Sequence, residues 1–176
     1  STSSTLKGYG TAAGIPAATW SSGGTLNTAR NSSAAAGANN TAALIFGGDT
    51  PGTTTDTELY NGSSFTEVNN LNTACRENAG FGISTAAINA SGESTTANIA
   101  NAESWDGTNW TAISNINTAR RRLDAGGTQT SGLIFGGYST GLSADTETWD
   151  GSSWTEVSNL NTARDQIGGC GESSTN

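Results

Sequence analysis

The chain is patterned in short apolar runs, each closed by glycine or by a polar turn, and no stretch sustains the i, i+3, i+4 apolar spacing of an amphipathic helix. Thr41-Ala42-Ala43-Leu44-Ile45-Phe46 is a run of the length of a buried strand. Gly47-Gly48 ends it, which suits a bulge or a close backbone approach. Before it, Ala34-Ala35-Ala36-Gly37 leads to a turn at Ala38-Asn39-Asn40. After it, a loop with Pro51 and Gly52 gives way to Thr57-Glu58-Leu59-Tyr60, which alternates as a strand. Asn61-Gly62 predicts a two-residue type I′ hairpin, a turn with positive φ at both positions, and Ser64-Phe65-Thr66-Glu67-Val68 is the returning strand. Four strands fit the stretch from Arg30 to Thr73.

The same plan recurs. Asn27-Thr28-Ala29-Arg30, Asn72-Thr73-Ala74-Cys75, Asn117-Thr118-Ala119-Arg120 and Asn161-Thr162-Ala163-Arg164 are spaced by 45, 45 and 44 residues. Trp20, Phe65, Trp110 and Trp154 keep that step. Asp106-Gly107 and Asp150-Gly151 repeat the turn at Asn61-Gly62, and Gly136-Gly137 repeats Gly47-Gly48. The second unit departs from the plan, with Ala90-Ser91-Gly92-Glu93 at the glycine doublet. A period in this range marks stacked structural units. One domain over 1–176 is expected, with units near 21–65, 66–110 and 111–154 and a split unit made of 155–176 plus 1–20.

The hydrophobic run, the Gly-Gly doublet, an aromatic (Tyr60, Trp105, Trp149) and a second aromatic five residues on (Phe65, Trp110, Trp154) together resemble Kelch repeats of galactose-oxidase-like β-propellers. The strings Leu160-Asn161-Thr162-Ala163-Arg164 and Thr146-Glu147-Thr148-Trp149-Asp150-Gly151 are similar to the low-charge Kelch-like repeats of bacteriophage structural and tail-associated proteins. The resemblance implies an all-β fold, a β-propeller of four-stranded blades with about four blades per chain, one of them split between the N- and C-termini. It also implies a virion or extracellular location. The two ends supply 36 residues where intact units use 38 or 39, so the split blade is nearly complete, with its innermost strand expected at Ile167 to Cys170 and others at residues 6–9 and 17–20. Closure protects sheet edges. The same ends can instead pair with another copy in a larger ring or filament.

Composition narrows function by exclusion. Charged residues make up only 12% of the chain, seven of them basic, and the net charge is −8. So few cations do not form a phosphate-neutralising surface, which argues against nucleic acid and against anionic membranes. No apolar run reaches the ~18 residues of a membrane-spanning helix. Met is absent, which points to a processed product or a portion of something longer. Cys75 and Cys170 stand as two small residues in strands or as a single bridge. Sequons at Asn31, Asn39, Asn61, Asn89 and Asn109 matter only in a eukaryotic secretory setting.

Candidate chemistry is thin. Histidine is absent, which removes Ser-His-Asp catalysis, the usual zinc ligands and the two-histidine copper site of the galactose oxidase relatives. No phosphate loop and no Asp-x-Asp-x-Asp-Gly calcium loop occurs, so neither cofactor nor metal is expected. Glu58, Glu103 and Glu147 recur with the repeat, as do Arg30, Arg120 and Arg164, which reads as scaffold: an ion pair between blades or a carbonyl cap. Arg120-Arg121-Arg122 reads as a solvated strand end. The units differ in the loops at residues 49–53, 93–97 and 138–142, so Asp49, Thr50, Glu93, Tyr138 and Ser139 are the candidate binding residues. The expectation is a non-enzymatic structural or adhesion module that associates with itself or with other virion or fibre proteins. A secreted carbohydrate-binding propeller engaging surface glycans is the alternative, and a carboxylate-based glycan-cleaving enzyme the weaker one.

Overall fold

A computed structural model describes residues 23–171. Trp20 and the strands expected at residues 6–9 and 17–20 lie outside them. The described chain is all-β, in three four-stranded antiparallel sheets without helices. The first sheet holds β1 (Ala34–Asn39), β2 (Ala42–Phe46), β3 (Thr57–Tyr60) and β4 (Phe65–Glu67). The second holds β5 (Ala79–Ile83), β6 (Ala86–Glu93), β7 (Asn98–Trp105) and β8 (Trp110–Ile113). The third holds β9 (Asp124–Thr128), β10 (Ser131–Phe135), β11 (Thr146–Trp149) and β12 (Trp154–Glu156). Each sheet is a simple meander, its strands paired in sequence order.

Small residues in the first strand of each unit let the sheets approach. β1 lies against β5, and β5 against β9. A Cβ on Gly80 would sit 2.8 Å from the Ala35 carbonyl oxygen and 2.6 Å from the Phe46 ring. The core is split into two clusters, each between neighbouring sheets. In one, Trp110 of the second unit packs edge-on to Phe46 of the first, with ring centroids 4.8 Å apart, and its indole N–H donates to Thr57 Oγ1 at 3.2 Å. In the other, Trp154 of the third unit meets Phe81 of the second and donates to the Ser114 carbonyl at 3.0 Å. Each such buried aromatic contributes roughly 1.5–3 kcal/mol from transfer alone. Phe65 is only half-buried, against Tyr60.

The turns differ from the expected type. Tyr60 pairs with Phe65, so four residues form the loop, and only its glycine takes positive φ (94° at Gly62, 95° at Gly107 and Gly151). The residue before the glycine works through its side chain. Asn61 Oδ1 accepts the N–H groups of Ser63 and Ser64, and Asp106 and Asp150 do the same for the two residues that follow their glycines. Asx side chains that satisfy backbone donors in this way favour the wider loop over the two-residue turn.

The C-terminal segment packs against the third sheet. Gln166 N–H donates to the Arg122 carbonyl, and Gly127 N–H to the Gly171 carbonyl, so this segment runs beside β9. The stretch Ile167 to Cys170, where the repeat predicts an innermost strand, forms no strand among the described residues.

Candidate functional site

Two structures recur around the molecule, a buried clasp and a polar face. The clasp explains why Asn-Thr-Ala and glutamate repeat together. In the third unit Glu147 is fully buried; its Oε2 accepts the Asn117 N–H and side-chain amide, both at 2.8 Å, and its Oε1 accepts from Arg120 at 2.6 Å. Arg120 also caps two carbonyls, those of Gly136 and Thr118. The Asn side chain reaches on to the first residue of the fourth strand, at the carbonyl of Phe65, Trp110 or Trp154. A carboxylate inside one strand thereby holds the connection that leads into its own sheet. The arginine–glutamate pair lies within a unit, not between neighbours, and the carbonyl cap forms beside it.

The three clasps are not identical. In the first, Glu58 accepts the Asn27 and Thr28 N–H groups, and Arg30 Nη2 lies 3.0 Å away with its side chain fully buried. That is ion-pair contact outside hydrogen-bond alignment, since the Arg30 nitrogens find no aligned acceptor. In the second, Cys75 replaces the arginine, and Glu103 is held by Asn72 and Thr73 alone. Burial pushes the Cys75 thiol up to about 12, with the Asn89 amide pulling the other way. Cys75 and Cys170 are both free, the first buried and the second exposed. Arg164, the fourth member of the set, is exposed, and its Nε donates to the Thr162 carbonyl.

Gly47 and Gly136 are set by this arrangement. Their φ values are 67° and 65°, and a Cβ on either would lie 2.8 Å from a carbonyl oxygen of the next unit, that of Cys75 or Arg164. Ser91 takes the same conformation in the second unit, with φ 64°, and its hydroxyl donates to the Arg120 carbonyl. The close approach becomes a hydrogen bond, which is why a non-glycine residue is tolerated there.

The polar face gathers the candidate binding residues. Asp49, Glu93 and Tyr138 each follow the doublet of their unit and bridge to Asn31, Arg76 and Arg121. Arg76 joins two units, its Nη1 2.8 Å from Asp49 and its Nε 2.9 Å from Glu93. Arg121 pairs with Glu93 and Glu77 and lies over the Tyr138 ring at 5.3 Å. Arg122 pairs with Glu77 at 2.9 Å and Asp165 at 3.6 Å. Four carboxylates and three guanidiniums thus alternate across the unit boundaries, all partly exposed. The basic cluster is therefore no solvated strand end: Arg120 is buried in a clasp, and Arg121 and Arg122 are engaged on the face. Thr50 and Ser139 sit in tight turns, donating to the Gly52 and Gly141 carbonyls. Neighbouring loops are also tied together, through Thr53 to Thr95 and through Asn98 to the Tyr138 and Ser139 carbonyls.

Beneath this face one residue from the lead-in to each sheet and one from the C-terminal segment come together. Ser32, Glu77, Arg122 and Gln166 all take positive φ between 52° and 57° and line one cavity of about 340 Å³. A backbone ladder links them: Glu77 N–H to the Ser32 carbonyl, Arg122 N–H to Glu77 and Gln166 N–H to Arg122, at 2.8–3.0 Å. Sequence reasoning missed Arg76, Glu77, Asn98, Arg121 and Arg122 as members of this surface. For the charged four the signal available was their place, four or five residues after the Asn of each Asn-Thr-Ala, at positions where the units differ in charge; Asn98 carried no such signal. No protein-family model matches the chain, and no curated protein matches it.

Proposed function

We propose that the chain is a non-catalytic four-bladed β-propeller that serves as a structural or adhesion module of a virion or extracellular assembly. One observation carries the reading. Residues that differ between units, Asp49, Glu93 and Tyr138, are joined across unit boundaries into one polar face, whereas residues that recur, Glu58, Glu103 and Glu147, are buried as backbone clasps. A rigid repeated scaffold with a varied surface is an arrangement for binding. The recurrent glutamates are engaged by N–H groups and arginine, which leaves them no access to a substrate. The convergence of Ser32, Glu77, Arg122 and Gln166 on one cavity supports four blades around an axis, with residues 155–176 opening the fourth. The assignment to a virion draws on the Kelch-like resemblance of the repeats.

The test is twofold. Fractionation of particles or fibres from the source should recover the chain in the assembled material. Replacing residues 138–142 with a Gly-Ser loop should reduce that recovery while the thermal midpoint moves little. A monodisperse monomer by light scattering, found in no larger structure, overturns the assembly reading. Saturable glycan binding by such a monomer would favour the carbohydrate-binding alternative.

A further inference from the structure

The hairpin turns of the three units share one cap and differ in its chemistry. Asn61, Asp106 and Asp150 each accept the N–H groups of the two residues after their glycine. Gly62, Gly107 and Gly151 hold nearly the same φ, at 94°, 95° and 95°. The first turn carries an amide where the other two carry carboxylates. Asn61-Gly62 is also the single Asn-Gly pair of the chain. Glycine has no side chain to shield its backbone nitrogen, so in this pair that nitrogen most readily approaches the preceding side-chain carbonyl.

The groups that such an attack needs surround Asn61. The residue is exposed to water. The Gly62 N–H makes no hydrogen bond among the described residues, which leaves it free to lose its proton. Asn61 Oδ1 accepts the Ser63 and Ser64 N–H groups, both at 3.0 Å. Two fixed donors draw electron density from the amide carbon and are placed to hold the negative charge that gathers on its oxygen during addition. Asn61 Nδ2 lies 3.4 Å from Ser64 Oγ, a hydroxyl that can hand a proton to the departing amine. The product is accommodated as well. Equivalent backbone donors hold the Asp106 and Asp150 carboxyls below the usual carboxylate range. A carboxylate at position 61 meets two N–H groups already in place.

We propose that Asn61 is a self-modification site, converted in the folded chain to an aspartate that completes a third copy of the charged cap. The only co-reactant is water. The Gly62 nitrogen loses its proton and bonds to Asn61 Cγ, the bond from Cγ to the side-chain nitrogen breaks, and ammonia leaves behind a succinimide. Water then adds to one of the two ring carbonyls. Cleavage between Cγ and the Gly62 nitrogen restores the main chain with aspartate; cleavage at the Asn61 backbone carbonyl gives isoaspartate. Nothing is oxidised or reduced. Isoaspartate routes the main chain through an extra methylene, inside a four-residue loop closed by the Tyr60–Phe65 pair, and loses the cap. The folded turn therefore selects aspartate. A free peptide has no cap to keep, and its more electrophilic backbone carbonyl makes isoaspartate the larger share. The inference stands apart from the assembly reading.

The full chain is held at mildly alkaline pH in heavy-oxygen water, beside the same chain unfolded in urea and a synthetic peptide of residues 57–67. Peptide mapping by mass spectrometry, with fragmentation that separates aspartate from isoaspartate, reads all three. The folded chain should gain, at Asn61 before any other asparagine, the mass of an amide-to-acid exchange with one heavy oxygen. Its ratio of aspartate to isoaspartate should exceed that of the peptide and of the unfolded chain by about tenfold, the gap expected for retaining a charge-assisted bond. Asn61→Asp keeps the cap and should show no such gain, and its elution on ion exchange should match that of the converted wild-type chain. No conversion at Asn61 by the time the peptide is exhausted, isoaspartate as the main product of the folded chain, or the same mass gain in Asn61→Asp overturns the proposal.

Discussion

The second and third units hold the same connection with different chemistry. Around Glu147 two donors of Asn117 share the carboxylate with a buried guanidinium. Around Glu103 the Asn72 and Thr73 donors remain, and a neutral thiol occupies the arginine position. The turn is the same in both. The glutamate and the backbone donors are therefore the invariant part of the clasp, and the cation is an addition. Three hydrogen bonds hold a buried carboxylate in place without a counter-charge nearby, as charge-assisted bonds to backbone donors do.

The contrast is sharpest if the glutamates are removed. Glu147→Ala strands Arg120 as an uncompensated buried charge and should cost about 3–5 kcal/mol. Glu103→Ala strands only N–H donors and should cost about 1–3 kcal/mol. Urea unfolding midpoints compare the two directly. Equal losses would mean that Arg120 contributes nothing to its clasp beyond what Cys75 contributes.

Smaller effects are expected at the hairpin turns, where the units again differ in charge. Backbone N–H groups, that of Asn109 first for Asp106 and that of Ser153 first for Asp150, hold both carboxyls below the usual carboxylate range. A depressed folded pKa adds stability that is present above the unfolded value, about 3.9, and is lost as pH falls through the folded value. Stability should therefore decline as pH drops below about 4. Asn61 makes the same bonds without a charge. Asp106→Asn with Asp150→Asn should thus leave the unfolding midpoint at pH 7 nearly unchanged and flatten its acid dependence. An unaltered acid limb would assign that dependence to other carboxylates.

The smallest perturbation separates the thiols. With its pKa near 12 and no exposure, Cys75 should resist a disulfide reagent at pH 8 until the chain unfolds, while exposed Cys170 reacts at once. Stability should not change on labelling Cys170. Two fast thiols in the folded state would show that the second clasp opens readily.

Periodicity and local chemistry were legible in the chain itself. Apolar runs of strand length, bounded by Gly-Gly and by Asn-Gly or Asp-Gly, placed the four strands of the first sheet and, by recurrence, β7, β8, β10, β11 and β12, because side-chain alternation and turn propensity act over a few residues. Recurrence alone marked Glu58, Glu103, Glu147, Arg30 and Arg120 as scaffold. What recurrence could not convey was partnership. Glu147 lies 30 residues from Asn117, and only the meander that returns β11 beside β10 brings the two together. Turn type was decided by the Asx side chain of the dipeptide itself, which caps the N–H groups of the two residues after the glycine. The polar face is wholly tertiary: Arg76, Arg121 and Arg122 acquire meaning because the sheets stand close enough for guanidiniums to span them. Arg164 shows the same division from the other side. The sequence supplies it with a repeat position identical to those of Arg30 and Arg120, yet those two are buried beside Glu58 and Glu147 while Arg164 is exposed among the described residues, a difference that the repeat position does not carry.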